Sequence, residues 1–466
     1  MHQHALSAWL TERLNDYAAD FGVPGAAAAI VTADGVAEAA TGLLNLSTRV
    51  ATTRDSLFQI GSISKIFTAT LVLRQIEQGR IGLDDPVIRH LPSFAVASPE
   101  VTECLTIRHM LTHTSGIDGD FFPETGSDSD CIDNYVRACA ALGQVHAPGA
   151  ATSYCNAAPI VLGALLQRLT GRSWDALIAD EILRPLGASH ITSDLAELPR
   201  YRVAVGHLPD PESKAPKVAK RLHLPRGMGP TGATLHCSAG DLARFGKLFA
   251  DGGRTESGEQ VLSAETIAQA TERQADWPTT PWTAIRMGLG WRIHDWEGRR
   301  IFGHDGATIG QAGFLRIVPE TGLAAVLLAN GGGAKNLYQA LFGDILREFA
   351  GIGMPGQPPA IDRDSFDAGR VTGRYANILT EAEISVENGD LILKSRLRGL
   401  LADALADETW PLIPIAPNAC RVGNPALTLQ DIVVFDRFEA AGGAAGTLSL
   451  GHRILPRQQA EGDAQN

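Results

Sequence analysis

The stretch Gly61-Ser62-Ile63-Ser64-Lys65 limits what this chain can fold into more than any other. Asp55 to Ile60 leads into it and looks extended, and the apolar run Ile66 to Leu73 follows. Gly79 closes that run as a glycine just past a helix does. The spacing predicts a buried helix with Ser62 at its start. Lys65 lies three residues on, and side chains three apart on a helix share a face. The lysine amine therefore reaches the serine hydroxyl. Such a hydroxyl is a poor nucleophile until a neighbour takes its proton. A lysine takes it once burial or nearby positive charge lowers its pKa. The helix N-terminus adds a partial positive field and N–H groups for a developing oxyanion. A bland alternative exists: an N-cap serine with a lysine in the first turn. The rest of the chain has to choose between them.

The 466 residues suffice for one large core and a second, small one. The formal charge of −12 argues against nucleic acid as a partner. No run is long and apolar enough to span a membrane, and Met1 to Leu6 lacks a basic segment leading into an apolar one. A cytoplasmic location without membrane attachment is the expectation. Six cysteines (104, 131, 139, 155, 237, 420) show neither metal nor disulfide spacing, so free thiols and no metal are expected.

Helical spacing of Leu6, Leu10, Leu14 and Tyr17 predicts a first helix over residues 5–20. Ala26–Val31 and Val36–Gly42 flank Ala33-Asp34-Gly35 and read as a hairpin. Thr106 to Gly116 reads as a short helix ending in a polar turn, with His113 a structural turn histidine because no acidic group stands beside it in sequence. Tyr154 and Asn156 lie in a loop that feeds the apolar helix around Ile160–Leu166. Ser213 to Arg226 carries Lys214, Lys217, Lys220, Arg221 and Arg226 with no acidic residue. It is either a solvated loop or a docking patch for an acidic partner. A helix capped by Ser238 follows, then strands over Phe314–Val318 and Leu323–Ala329 and a helix over 335–350. The expected domains are 1–350, a linker at 351–365, a small β-domain at 366–457 and a disordered tail at 458–466.

Four stretches together resemble the class C β-lactamases and their relatives among DD-peptidases and esterases: Ser62-Ile63-Ser64-Lys65, His113-Thr114-Ser115-Gly116, Pro148-Gly149 with Tyr154-Cys155-Asn156, and His304-Asp305-Gly306. The resemblance covers roughly residues 5–350. It implies an α/β fold of the α+β kind, in which an antiparallel sheet is flanked by helices and joined to a helical subdomain. The C-terminal part resembles a lipocalin-like β-barrel. The resemblance also implies roles. Ser62 is the acylated nucleophile. Lys65 and Tyr154 share the proton work, in either order. Asn156 holds Lys65 and a substrate amide. The N–H groups of Ser62 and Ala307 form the oxyanion hole, His304 belongs to the catalytic set, and Asp305 and Gly306 bind the substrate. Where β-lactamases and DD-peptidases carry Lys-Thr-Gly, this chain has His304-Asp305-Gly306. Histidine is mostly neutral at pH 7, so the entrance is expected to lack a fixed cation for a free carboxylate.

Within this family the chain most resembles the penicillin-binding-protein-type thioesterases. That resemblance implies a stand-alone thioesterase that releases and macrocyclises a nonribosomal peptide, with preference for a D-residue at the acyl end. The substrate would arrive as a phosphopantetheine thioester on an acidic peptidyl carrier protein, docked by Lys214, Lys217, Lys220 and Arg221. No resident cofactor is implied. The alternative is a cytoplasmic esterase or D-stereospecific peptidase or amidase. A binding protein without catalysis fits poorly with an intact Ser62, Lys65 and Tyr154.

Overall fold

Strand β1 (Gly25–Thr32) is an unbroken run of small and apolar residues because both of its faces are covered. Ala26, Ala28 and Ile30 point to one core, and Ala27, Ala29 and Val31 to the other. This computed structural model describes residues 3–32, 35–210, 212–278, 285–402, 407–423, 432–438 and 443–459. Turn residues 33 and 34 and most of the expected tail, 460–466, lie outside them.

The main sheet has nine strands: β1, β2 (Gly35–Asn45), β3 (Val50–Ala51), β4 (Ala275–Asp276), β5 (Ile285–Met287), β6 (Arg292–Trp296), β7 (Arg299–Thr308), β8 (Gln311–Val318) and β9 (Leu323–Ala329). Their spatial order is β3-β2-β1-β9-β8-β7-β6-β5-β4, antiparallel throughout. The first and last thirds of this region thus meet where β1 pairs with β9, Ala28 opposite Leu327.

Helices α1 (Gln3–Asp20) and α5 (Ala334–Ala350) cover one face, with Leu10 and Leu14 of the first and Leu337, Leu341 and Ile345 of the second in a shared core. The core on the other face takes in α2 (Ser64–Glu77), α3 (Ala157–Thr170) and α4 (Ala239–Ala250), with α4 against β1, β8 and β9 and α3 against α2. Ser238 caps α4 by accepting from Asp241 N–H. Phe67 of α2 stacks on Phe245 of α4 with ring centroids 3.8 Å apart. Truncating either ring in this core costs about 3–5 kcal/mol. That packing fixes the helix whose first turn matters below.

After α5 the chain runs from Gly351 without a regular element to Asp362. Then come eight antiparallel strands in sequence order: β10 (Gly373–Ala376), β11 (Thr380–Glu387), β12 (Asp390–Leu397), β13 (Glu408–Ala416), β14 (Ala419–Val422), β15 (Ile432–Phe438), β16 (Ala445–Leu450) and β17 (Arg453–Pro456). A bridge between Tyr375 and Arg457, and Gln458 N–H on Arg374 O at 2.8 Å, bring the two edges together. The sheet is a nearly closed, lipocalin-like barrel with its own apolar interior. Asn388-Gly389 turns the β11–β12 hairpin with φ of 54° and 87°.

Candidate active site

Ser62 stands in a single 3-10 turn, Gly61–Ile63, that runs directly into α2. Two glycine-dependent contacts hold this turn against β7. A Cβ on Gly306 would lie 1.8 Å from Ile60 O, and one on Gly61, at φ 53°, 2.7 Å from Ala307 N. The main chains of the serine turn and of β7 therefore touch directly, which sets Ser62 beside Ala307. Gly232, at φ 135°, closes the opposite side, where a Cβ would meet Gly61 C at 2.4 Å.

Lys65 is buried, and its Nζ has three oxygen neighbours: Ser62 Oγ at 2.9 Å, Asn156 Oδ1 at 2.8 Å and Thr231 O at 2.8 Å. Burial holds its pKa well below the usual lysine value; Asp120 opposes that shift, and Arg453 and Arg292 add to it. Asn156 is fixed in turn by Asp120, whose Oδ1 accepts from Nδ2 at 2.6 Å, and by the Thr231 hydroxyl at 3.1 Å. Tyr154 is buried, and burial pushes its phenol up to about 12, against the pull of Arg292, a hydrogen bond with Ser62, and Arg453. Three basic side chains surround its ring: Lys65 Nζ at 4.8 Å, Arg453 at 4.9 Å and Arg292 at 5.5 Å from the centroid.

His113 is the structural residue its sequence context implied. It adopts φ 57°, its carbonyl accepts from Ser153 N–H at 2.9 Å, and its Nδ1 accepts from Cys155 N–H at 3.2 Å. His304 is fully buried; its Nδ1 donates to Asp305 O at 2.6 Å and its ring lies 6.3 Å from that of Tyr154. Burial, with Arg292 and Lys65 adding, keeps its imidazole well below the usual histidine value and hence neutral. Asp305 and Gly306 line the cavity beside Ser62, but the Asp305 carboxylate already binds Arg316 at 2.7 Å and Arg292 at 3.3 Å.

The cavity measures about 400 Å³ and is walled by both sheets. Arg292 and Arg453 line it as well, each paired with a carboxylate, Arg292 with Asp305 and Arg453 with Asp120. Neither was visible in sequence. Arg292 comes from β6, and Arg453 from the lipocalin-like sheet, where it ion-pairs with Asp120. Asp120, the link from Arg453 to Asn156 and Lys65, was also missed, and an acidic residue in a loop gives no local signal of that role.

Three charges of the basic segment have acidic partners. Lys217 lies 3.5 Å from Asp210, Arg221 pairs with Glu124, and Arg226 pairs with Asp175 at 3.1 Å. Lys214, Lys217, Lys220 and Arg221 remain exposed. Lys217 sits opposite Leu208 in a short hairpin, and Leu208 lines the cavity, so the segment flanks its mouth.

The β-lactamase family matches residues 10–344. The chain belongs to the β-lactamase family. Among its relatives, penicillin-binding protein 4 of Amycolatopsis lactamdurans is 40% identical over 367 residues, 78% of this chain and 96% of that protein. Esterase EstB of Burkholderia gladioli is 33% identical over 189 residues, 38% of this chain and 48% of the esterase. Among solved structures, SurE superposes with a TM-score of 0.75 at 25% identity and covers 98% of this chain and 99% of its own. The likeness to SurE thus includes the β-domain that the family match leaves out. The D-amino acid amidase of Ochrobactrum anthropi SV3 shares the fold of the β-lactamase part, with a TM-score of 0.62 at 20% identity over 74% of this chain and 99% of the amidase. Members of this family are serine hydrolases and acyltransferases, and no helix among the described residues is long and apolar enough to cross a membrane.

Proposed function

We propose that the chain transfers a peptidyl group from a carrier-bound thioester to Ser62 and then to the peptide's own amine, releasing a macrocycle. The observation that carries the chemistry is the environment of Lys65 Nζ. A neutral amine has two hydrogens and one lone pair. Asn156 Oδ1 and Thr231 O take the hydrogens, and the lone pair faces Ser62 Oγ. Lys65 is then the base that removes the serine proton. Ser62 Oγ attacks the thioester carbonyl, the C–S bond breaks, and the thiolate of the phosphopantetheine arm leaves with a proton from Tyr154, which Lys65 then reprotonates. The N–H groups of Ser62 and Ala307 stabilise the oxyanion. In the second half the amine attacks the ester, its proton passes to Lys65, Tyr154 protonates Ser62 Oγ as the C–O bond breaks, and Lys65 returns the proton to Tyr154. Tyr154 suits that step because its phenol stays protonated.

The preference for a D-residue is supported by the full-length likeness to SurE, one of whose structures contains D-Leu, at a TM-score of 0.72 and 25% identity. An amine already tethered to the acyl group gains several kcal/mol over an intermolecular acceptor. A linear peptide thioester ending in a D-residue should give mainly macrocycle, and its L-ended epimer should react poorly. Chromatography and mass spectrometry against synthetic linear and cyclic standards test this, with Ser62→Ala, which should form no adduct, as the control. Linear acid from every peptide would support a second reading, a D-stereospecific hydrolase. That reading draws on the shared fold with the D-amino acid amidase and the partial similarity to esterase EstB.

A further inference from the structure

The loop that presents Tyr154 belongs to no regular element, so its placement depends on partners elsewhere. It is held from two sides. On one side stands His113, with the two hydrogen bonds given above and its ring 4.6 Å from that of Tyr154. On the other stand three consecutive residues of the β16–β17 hairpin, 300 positions further along the chain. Tyr154 N–H donates to His452 O at 2.9 Å. Ile454 N–H donates to Ser153 Oγ at 3.1 Å. Arg453 pairs with Asp120, which holds Asn156. The hairpin tip is a tight turn with Gly451 at φ 55° and His452 at φ 67°, the two positive values of a type I′ turn. Such a tip reaches in with little room to adjust.

We propose that this hairpin tip sets the position of Tyr154 and that the Ser153 hydroxyl is the positioning residue through which it does so. The lipocalin-like sheet is then part of the proton-transfer machinery and not an appendage. Ser153 is buried and accepts the N–H of Ile454, so its loss leaves that donor bare and frees one anchor of the loop. A displacement of about 1 Å at a reacting group is enough to cost about a hundredfold in rate. The inference takes from the proposed function only that Tyr154 handles a proton at Ser62.

The test compares full-length wild type with Ser153→Ala, Ser153→Thr, Tyr154→Phe and the double variant Ser153→Ala/Tyr154→Phe. The readout is the rate of Ser62 labelling by a fluorophosphonate, followed by intact mass, with thermal melting beside it. This probe needs an activated serine whatever the natural acyl donor, so an error about the substrate leaves the result intact. Ser153→Ala should slow labelling by about tenfold or more, and Ser153→Thr, which keeps the hydroxyl, should restore most of it. In the Tyr154→Phe background the alanine change should cost less than about twofold, because the contribution it acts through is already gone. Ser153→Ala at the wild-type rate, or an equal loss in both backgrounds, would overturn the proposal. Should Ser153→Ala not fold, Ser153→Cys keeps the volume, weakens the acceptor and takes its place with the same outcomes. Tyr154→Phe labelling as fast as wild type is a separate failure, that of Tyr154 as a proton-transfer group.

Discussion

Lys65 and Tyr154 compete for the part of general base, and their surroundings push them apart. Burial drives both groups toward their neutral forms. For lysine the neutral form is the base, and for tyrosine it is the acid. The sign for pH follows. The folded-state pKa of Lys65 lies well below its unfolded value, so as pH falls through the folded value the amine gains a proton and the lone pair is lost. Between those two values the unfolded chain binds more protons, so stability also rises with pH in that window. The rate of Ser62 labelling should rise along one acid limb with its midpoint well below the usual lysine value and then stay level. Tyr154, pushed up to about 12, stays protonated across that range. Tyr154→Phe should lower the plateau by about a hundredfold and leave the midpoint in place. A midpoint that disappears with the phenol would assign the base to tyrosinate.

At the level of elements, the serine turn and β7 are locked backbone to backbone. Gly306→Ala places a methyl against Ile60 O, which cannot move without shifting Ser62. The strand must back away and take Ala307 N–H with it. Loss of one oxyanion donor costs about 10²–10³ in rate, and this variant should label that much more slowly while still melting cooperatively. More than a tenth of the wild-type rate would mean that β7 supplies no donor. The elements on either side of this contact were legible in sequence. The apolar run after Ser62, the Gly79 stop and the strands flanking residue 320 carry their periodicity locally. Tyr154 and Asn156 were legible through motif spacing. Arg292, Asp120 and Arg453 were not, because each acts at the site only through long-range pairing: β6 against β7, and the hairpin tip against the loop. In the basic segment, Asp210, Glu124 and Asp175, all outside the run, pair with Lys217, Arg221 and Arg226. Lys220 has no ion pair among the described residues. Lys217→Glu/Lys220→Glu should slow turnover of a carrier-bound peptide by a few-fold at low salt, with the difference shrinking as salt rises, and leave a small thioester mimic unaffected. Equal loss on both substrates would make the hairpin part of the cavity wall.

Across the whole molecule, the proposed reaction places the partition between water and amine where the two sheets meet. Ser62, Lys65 and Ala307 all come from the β-lactamase part. Leu379, Leu401 and the Gly451–Arg453 tip come from the other sheet and face the same cavity. The two parts are tied at the rim, where Asp118 accepts Ile378 N–H at 2.8 Å beside Leu379. Leu379 is buried and Leu401 partly so, and both add apolar surface to the cavity that holds Ser62. An ester at Ser62 waits for whichever nucleophile is present, and hydrolysis wins by abundance unless the site is dry. A peptide amine arrives by folding its own chain back, so it does not depend on this apolar lining in the same way. Leu379→Ala/Leu401→Ala should therefore admit water without touching Ser62, Lys65 or Tyr154. The prediction is a change in product and not in the first step: fluorophosphonate labelling close to wild type, and a ratio of linear acid to macrocycle raised several-fold on a D-ended peptide thioester. Quantified chromatography of both products decides it. An unchanged ratio would mean that the acyl group is shielded by its own peptide and that the second sheet selects the acceptor through Arg453 and the tip alone.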